Sequence, residues 1–260
     1  MRMTRVAVPV AVALFVAWAD LTVRAQPRPI AAWRAQHERQ IVDEFLQLVS
    51  IPNVAGNDAD MRRNADLLET LFARRGFMVE KTDGPGSPVV FATLDVPSPR
   101  GTLTLYIHYD GQPVEASEWT RCKPFAPCIY GPTGPVQSDP ARMTFDPQWR
   151  VYGRSASDDK GPIVAVLNAV EALRATMSSG SRTPSSRALT FAADPRRRAL
   201  ARQPTLGGSM PFATFSTQMP TVGFSMVNHD NNQHGPDENL RLQSLWEGIE
   251  MMAAIMTMTR

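Results

Sequence analysis

A three-layer α/β domain, with a largely parallel or mixed sheet between helices, is the fold class this sequence predicts. Three observations point to it. Segments with helical apolar spacing alternate with β-rich segments, Gly and Pro punctuate their ends, and 43% hydrophobic against 20% charged residues is the balance of a chain with a sizeable core. In residues 33–49, Trp33, Ile41, Phe45, Leu48 and Val49 follow helical spacing and Pro52 stops the pattern. A second helix is expected over residues 61–75, with Leu67, Leu68, Leu71 and Phe72 on one face and Gly76 as its left-handed stop. Residues 89–96 and 103–109 are β-rich, the second alternating Leu103, Leu105 and Ile107 with Thr104, Tyr106 and His108. Helical spacing returns over residues 161–174, where Ile163, Val166, Leu167, Val170 and Leu173 turn inward and Pro162 occupies the tolerated first turn. Ala188 to Ala193 can form a short strand, residues 221–227 are a further strand candidate, and residues 240–258 form an apolar, methionine-rich helix. No internal repeat is visible.

Residues 1–25 read as an export signal: Arg2 and Arg5 precede an apolar run at 6–19, and Val23-Arg24-Ala25 offers a small-residue cleavage site before Gln26. The run is shorter than the roughly 20 apolar residues a membrane-spanning helix needs, and Asp20 closes it. Cleavage is therefore expected over anchoring, giving a periplasmic or secreted protein. The leader takes Arg2, Arg5, Arg24 and Asp20 from totals of 27 basic and 25 acidic side chains, leaving 24 of each. A neutral mature chain gives no electrostatic case for a nucleic-acid partner. Cys122 and Cys128 are the two cysteines, six apart in a Pro-rich loop, and their expected role in an exported chain is a small stapling disulfide.

Three polar clusters could carry chemistry. His108-Tyr-Asp110 sits at the end of a predicted strand, where positions i and i+2 share a face, so an imidazole and a carboxylate project together. Alone, the pattern is a weak signal and reads better as a hydrogen-bonded strand-end histidine. Asp158-Asp159 precedes a helix, where the macrodipole favours anions; one carboxylate could bridge metals, or simply cap the helix. His229-Asp-Asn-Asn-Gln-His234-Gly-Pro-Asp237-Glu238-Asn239 is a polar loop ahead of an apolar helix, and could equally be a solvated turn. His37 lies on a polar helical stretch as a surface residue, and His229 is a loop residue.

Together, His108-Tyr-Asp110-Gly-Gln-Pro-Val, Gly153-Arg-Ser-Ala-Ser-Asp158-Asp159-Lys-Gly-Pro, Gly207-Gly-Ser-Met-Pro and His234-Gly-Pro-Asp237-Glu238-Asn239 follow the order of one family. The chain resembles metallopeptidase family 20, the zinc-dependent exopeptidases and deacylases that include acetylornithine deacetylase, succinyl-diaminopimelate desuccinylase, aminoacylase, glutamate carboxypeptidase and carnosinase-like dipeptidases. Its Asp-Asp-Lys-Gly-Pro and Asp-Asn-Asn-Gln-His forms are closest to the dipeptidases. The resemblance implies a zinc-exopeptidase-like αβα catalytic domain with two zincs. Asp158 would bridge both metals, His108 would bind one and His234 the other, Asp110 would support His108, and Asp159 would follow the bridge. Gly207, Gly208 and Ser209 would face the carboxylate end of a small peptide or N-acyl amino acid substrate.

The family also uses a Glu-Glu pair, giving the general base and a zinc ligand, then a further acidic ligand and an inserted lid and dimerisation domain. Here residues 174–205 stand in that interval, with seven arginines against the single acid Asp194, and no glutamate occurs between Glu171 and Glu238. The expected organisation is a signal peptide at 1–25, a first catalytic part at 26–173, an Arg-rich irregular junction at 174–205 and a second catalytic part at 206–260, with the lid absent. Asp194 offers a stand-in ligand, and Glu115, Glu118 and Glu238 are the remaining substitutes for the base. The implied activity is amide hydrolysis in dipeptides or N-acyl amino acids, impaired by loss of the Glu pair, with one zinc or none retained. The competing readings are a pseudoenzyme or binding module that keeps the scaffold without turnover, and a defective gene product.

Overall fold

The computed structural model describes residues 29–82, 86–96, 99, 101–178, 188–193, 221, 223 and 225–258. The expected leader and most of the Arg-rich junction lie outside the described residues. Helix α1 (Pro29–Ser50) buries Ile41, Phe45, Leu48 and Val49, as the spacing requires. Helix α2 (Asp58–Arg74) opens on Asn57, whose side chain accepts from the Asp60 amide. It closes with the Gly76 amide donating to the Ala73 carbonyl and the Phe77 amide to the Phe72 carbonyl. Gly76 has φ +77°, the left-handed stop read from the sequence, and Phe72 meets Phe77 edge-on across it at 5.1 Å.

The larger sheet has strand order β1 (Met78–Lys81), β2 (Val90–Leu94), β7 (Ala188–Ala193), β3 (Thr102–Ile107). β7 pairs antiparallel with β2 and parallel with β3, so the run Ala-Leu-Thr-Phe-Ala-Ala lies in the middle of the sheet. Val90, Ala92 and Leu94 of β2 and Leu105 and Ile107 of β3 are buried, whereas Phe91 and Met78 on the opposite parity are exposed. Helix α2 packs on β1 and β2. Helix α3 (Gly161–Ser178) is buried all round from Gly161 to Val170 and packs against both α1 and α4 (Leu242–Thr257), the place for a helix with apolar residues on every side. None of the described helices is long and apolar enough to cross a membrane.

A second, antiparallel sheet has the order β5 (Gly134–Pro135), β4 (Cys128–Gly131), β6 (Arg150–Tyr152), β8 (Asn239–Arg241). Arg150, Val151 and Tyr152 pair with Arg241, Leu240 and Asn239. This short ladder joins the C-terminal part of the chain to the segment that leads into α3. The Cys122–Cys128 disulfide is formed at the start of β4. The described residues of 221–227 belong to none of the strands, although their composition is β-like. Strands of the apolar kind exist only where a neighbour accepts their hydrogen bonds, and composition does not name the neighbour.

Two polar networks hold these pieces. Glu44 of α1 is buried and accepts from Arg75 Nη2 at 3.0 Å on both oxygens, from Arg74 Nη2 at 3.2 Å and from Asn168 Nδ2 at 3.1 Å, tying α1 to the end of α2 and to α3. Glu44→Ala leaves the buried Arg75 guanidinium without this partner and should destabilise the fold by about 3–5 kcal/mol, read from chemical denaturation. At β8, Asp230 accepts from Arg150 Nη2 at 2.6 Å and from Asn228 Nδ2 at 3.0 Å. Those bonds, Arg150 first, hold its carboxyl well below the ordinary value of 3.8. A depressed folded-state value stabilises above the ordinary value and is lost as pH falls toward the folded one. Asp230→Asn should therefore flatten the fall in Tm between about pH 5 and pH 2, and an unchanged acid limb would refute the assignment.

Candidate metal centre

β3 ends at Ile107, and the next four residues are fixed from the side by residues 53–55. Asn53 Nδ2 donates to the Tyr109 carbonyl at 2.8 Å and to Ser155 Oγ at 2.9 Å, while the Gly111 amide donates to the Asn53 carbonyl at 2.7 Å. A Cβ at position 111 would lie 2.5 Å from Ser155 Oγ, so this close approach needs glycine. The buried Tyr109 donates its hydroxyl to the Pro88 carbonyl, pointing away from the two residues that flank it in sequence. His108 and Asp110 fall on one side, and His108 Nδ1 donates to Asp110 Oδ1 at 2.9 Å.

Asp158 stands in an irregular turn, Ala156–Lys160, between β6 and α3, and its peptide bond to Asp159 is cis. The Asp158 carboxylate is buried and shared by two histidines from distant parts of the chain. Oδ1 accepts from His108 Nε2 at 2.8 Å and Oδ2 from His234 Nε2 at 2.6 Å. Asp159 Oδ2 lies 3.4 Å from the same His108 Nε2. Burial pushes the His108 pKa down, but the hydrogen bonds to Asp110 and Asp158 outweigh it and hold the ring well above its ordinary 6.5. Burial likewise pushes Asp158 up, and the two histidines reverse that, holding its carboxyl far below the usual carboxylate range. Lys160 closes the turn from below: fully buried, it donates through Nζ to the Leu48 and Ile51 carbonyls at 2.8 and 2.7 Å. Burial holds its pKa well below the ordinary lysine value.

Beneath Asp158 lies Glu238, 1% exposed. Its Oε1 accepts from the Ser157 and Asp158 amides, each at 3.1 Å, and from Ser157 Oγ at 2.8 Å; its Oε2 accepts from the Ser155 amide at 3.1 Å and Arg154 Nη1 at 2.8 Å. Burial pushes this carboxyl up against the opposing pull of Arg154 and the amides. Arg154, itself buried, stacks over the Trp119 ring at 5.4 Å. Next door, Asp237 accepts from the Thr120 and Arg121 amides at 3.0 Å each, and from the Thr120 hydroxyl, fastening the loop that carries His234 to the stretch before Cys122. Ser155, Asn232, His234 and Asp237 all have positive φ, between 52° and 68°. Left-handed non-glycine residues cost about 1–3 kcal/mol each and persist where the surroundings over-determine them, as here.

His108, Asp110, Asp158 and His234 line one small cleft with Arg154, Ser155 and Glu238. Asp194, Gly207, Gly208 and Ser209 lie outside the described residues. Of the three glutamates offered as a base, Glu115 accepts from the amide and hydroxyl of Ser117 in its own exposed turn, and Glu118 is exposed. Glu238 lines the cleft but is consumed by five donors, so it holds the turn together and is not poised to take a proton from water. Arg154 and Lys160 fall inside the Gly153–Pro162 motif, whose pattern marks no role for either, and nothing in the local pattern around Asn53 marks it.

The donor set fits a divalent metal. Ligand atoms of His108, Asp158 and Asp159 lie within 4.8 Å of one another. Bonds of about 2.0–2.1 Å in a tetrahedral site separate ligand atoms by about 3.3–3.4 Å, comparable with the 2.8 and 3.4 Å spacings from His108 Nε2 to the two aspartates. The Asp110 contact on Nδ1 leaves Nε2 as the nitrogen that would face the ion.

The chain is similar in sequence to metallodipeptidases. The chain is 29% identical over 149 residues to the Cys-Gly metallodipeptidase dug1 of Schizosaccharomyces pombe, covering 50% of this chain and 28% of that protein. It is 34% identical over 92 residues to the human Beta-Ala-His dipeptidase, covering 35% of this chain and 15% of that protein. No family model matches. In fold it is similar to human carnosine dipeptidase 1, with a TM-score of 0.50 at 22% identity over 64% of this chain and 34% of that one. The dipeptidase Dug1p of Saccharomyces cerevisiae gives a TM-score of 0.51 at 19% identity, again over 64% of this chain and 34% of that one. The chain thus spans less than a third of the length of the curated relatives it matches.

Proposed function

We propose that this chain belongs to metallopeptidase family 20 and is a metal-dependent hydrolase of amide bonds in dipeptides or N-acyl amino acids, exported from the cytoplasm, with zinc as its metal. One observation carries the reading: two histidines 126 positions apart converge on the two oxygens of one buried carboxylate, Asp158. Buried carboxylates shared in this way by imidazoles are the donor arrangement of a metal centre. When bound, the metal supplies a Lewis acid for the scissile carbonyl and a water acidified toward neutrality. His108, Asp158 and Asp159 would hold it on one side, and His234 with the other oxygen of Asp158 on the second. Asp110 fixes the tautomer of His108, and the Arg154–Glu238 pair keeps the Asp158 turn in place. The dipeptide names of the relatives, Cys-Gly and β-Ala-His, define the first substrates to try. Export rests on the leader-like residues 1–25 and accords with the Cys122–Cys128 disulfide.

A second reading, a metal-binding module without turnover, is favoured by the full engagement of Glu238, the glutamate in the cleft among the described residues. Both readings predict bound metal; they part on hydrolysis. Purified protein should bind at least one zinc per chain by elemental analysis, and His108→Ala should lose it, with His234→Ala losing or weakening it. Hydrolysis of Cys-Gly or β-Ala-His that rises with added zinc and stops on chelation establishes the enzyme. Zinc bound without hydrolysis establishes the module, and no zinc in the parent chain sinks both.

A further inference from the structure

We infer that Glu238 is a positioning residue for the metal centre, acting as a latch that sets the backbone of the Asp158 turn from the opposite end of the chain. The inference rests on the metal reading above and assigns a role to a residue that touches no metal-facing atom itself. Four features carry it. Glu238 is 1% exposed, so its carboxylate is out of reach of bulk water. It takes hydrogen bonds from three consecutive-turn amides, those of Ser155, Ser157 and Asp158, and from the Ser157 hydroxyl. Its partner cation, Arg154, begins the same turn and also donates to the His234 carbonyl at 3.4 Å. Finally, the Glu238 carbonyl accepts from the Gly153 amide at 2.9 Å, so side chain and backbone grip the turn together.

The geometry explains why one carboxylate has this influence. The turn at 156–160 is not a regular helix start, because Ser155 has φ +64° and Asp158 and Asp159 have non-helical dihedrals. Two of its amides, those of Ser157 and Asp158, take Glu238 Oε1 where a helix would offer carbonyls, whereas the Lys160 amide reaches the Ser155 carbonyl at 3.0 Å. Glu238 replaces those acceptors with charge-assisted bonds, roughly twice as strong as neutral ones. Asp158 is consequently aimed by Glu238 while it is used by His108 and His234. His234 lies four residues before Glu238, so the same short loop delivers a ligand and sets the orientation of the shared one. Outer partners of this kind change metal affinity by about 10–100-fold when removed.

Glu238→Gln keeps the volume, but it turns one acceptor into an NH2 group facing amide donors. Calorimetric titration with Zn2+ should show affinity falling about 10–100-fold, and the visible absorption of the Co2+-loaded protein should change in shape. The control is Glu44→Gln, another buried carboxylate paired with Arg75 away from the cleft, which should lower Tm while leaving Zn2+ affinity and the Co2+ spectrum as in the parent. Zinc affinity in Glu238→Gln within about twofold of the parent would overturn the inference, as would an equal loss in Glu44→Gln. Should Glu238→Gln fail to fold, Ser157→Ala decides: it removes the 2.8 Å hydroxyl bond alone and should weaken zinc at least about threefold, and an unchanged affinity overturns the latch. A parent chain that binds no zinc would overturn the metal reading and the latch with it. Normal zinc in the parent with no change in the variants would remove the latch alone.

Discussion

Three residue pairs between β6 and β8 decide whether this chain has a site at all. Arg150, Val151 and Tyr152 stand opposite Arg241, Leu240 and Asn239 in an antiparallel ladder too short to be stable by itself. It is held by what surrounds it: Leu240 and Val151 are buried, Asp230 bridges Arg150 and Arg241, and Asn239 accepts from Arg150 and Asn228. Slipping this register by one residue would invert the side chains of β8 and carry the loop before it with them. His234 would leave Asp158, Glu238 would leave its amides, and Asp237 would release Thr120. Every contact of the C-terminal segment with the cleft thus depends on one antiparallel alignment.

At the centre of the cleft, proton and cation compete for the same places. His108 sets Nδ1 against Asp110 Oδ1 and Nε2 against Asp158 Oδ1, so Nε2 is the ring nitrogen that a metal would take. A metal needs the Nε2 lone pair, so any proton at that nitrogen must leave on binding, whereas a proton at Nδ1 can stay on Asp110. Asp158 contributes two oxygens in different directions, which is why one carboxylate can serve two histidines and why its orientation matters more than its charge. The neighbouring charges belong to separate circuits: Arg154 faces Glu238, and Lys160 faces the carbonyls that end α1. Arg154 and Lys160 therefore sit near a cation site with their donors turned toward acceptors of their own.

Most helices and the larger sheet were legible because burial writes itself into periodicity. α1, α2, α3 and α4 each carry enough turns for the 3.6-residue pattern to stand out, and Gly76 and Pro162 marked boundaries for conformational reasons. The strand Ala188–Ala193 was legible as an apolar run inside an Arg-rich stretch, but its central place between β2 and β3 was not, since pairing is a property of two segments. The second sheet was missed for the same reason. β4, β6 and β8 have only three or four residues each, and Leu240 and Arg241 read as the first residues of the C-terminal helix, which begins instead at Leu242. In the cleft, His108, Asp110, Asp158 and His234 were named by motif and are brought together. Glu238 reads from the sequence as a spare base because a glutamate in a polar loop carries no sign of the amides above it; its five donors come from a segment 80 to 84 positions away.

The scaffold and the chemistry make separable demands on this sequence. The core of α1, α3 and α4, with the Glu44–Arg75 pair and the central strand β7, needs no glutamate between Glu171 and Glu238, and those elements pack without one. A metal centre asks for somewhat more: imidazoles and carboxylates held within a few ångströms, which His108, Asp158, Asp159 and His234 satisfy. Turnover asks for more again, a carboxylate with a free lone pair facing water. Glu238 cannot supply it, because releasing any of its five donors would leave a buried amide, hydroxyl or guanidinium unpaired, at about 1–3 kcal/mol each. The acid that stabilises the Asp158 turn is thereby excluded from acting as the base, so any hydrolysis by this chain must draw its proton acceptor from elsewhere in or around the cleft.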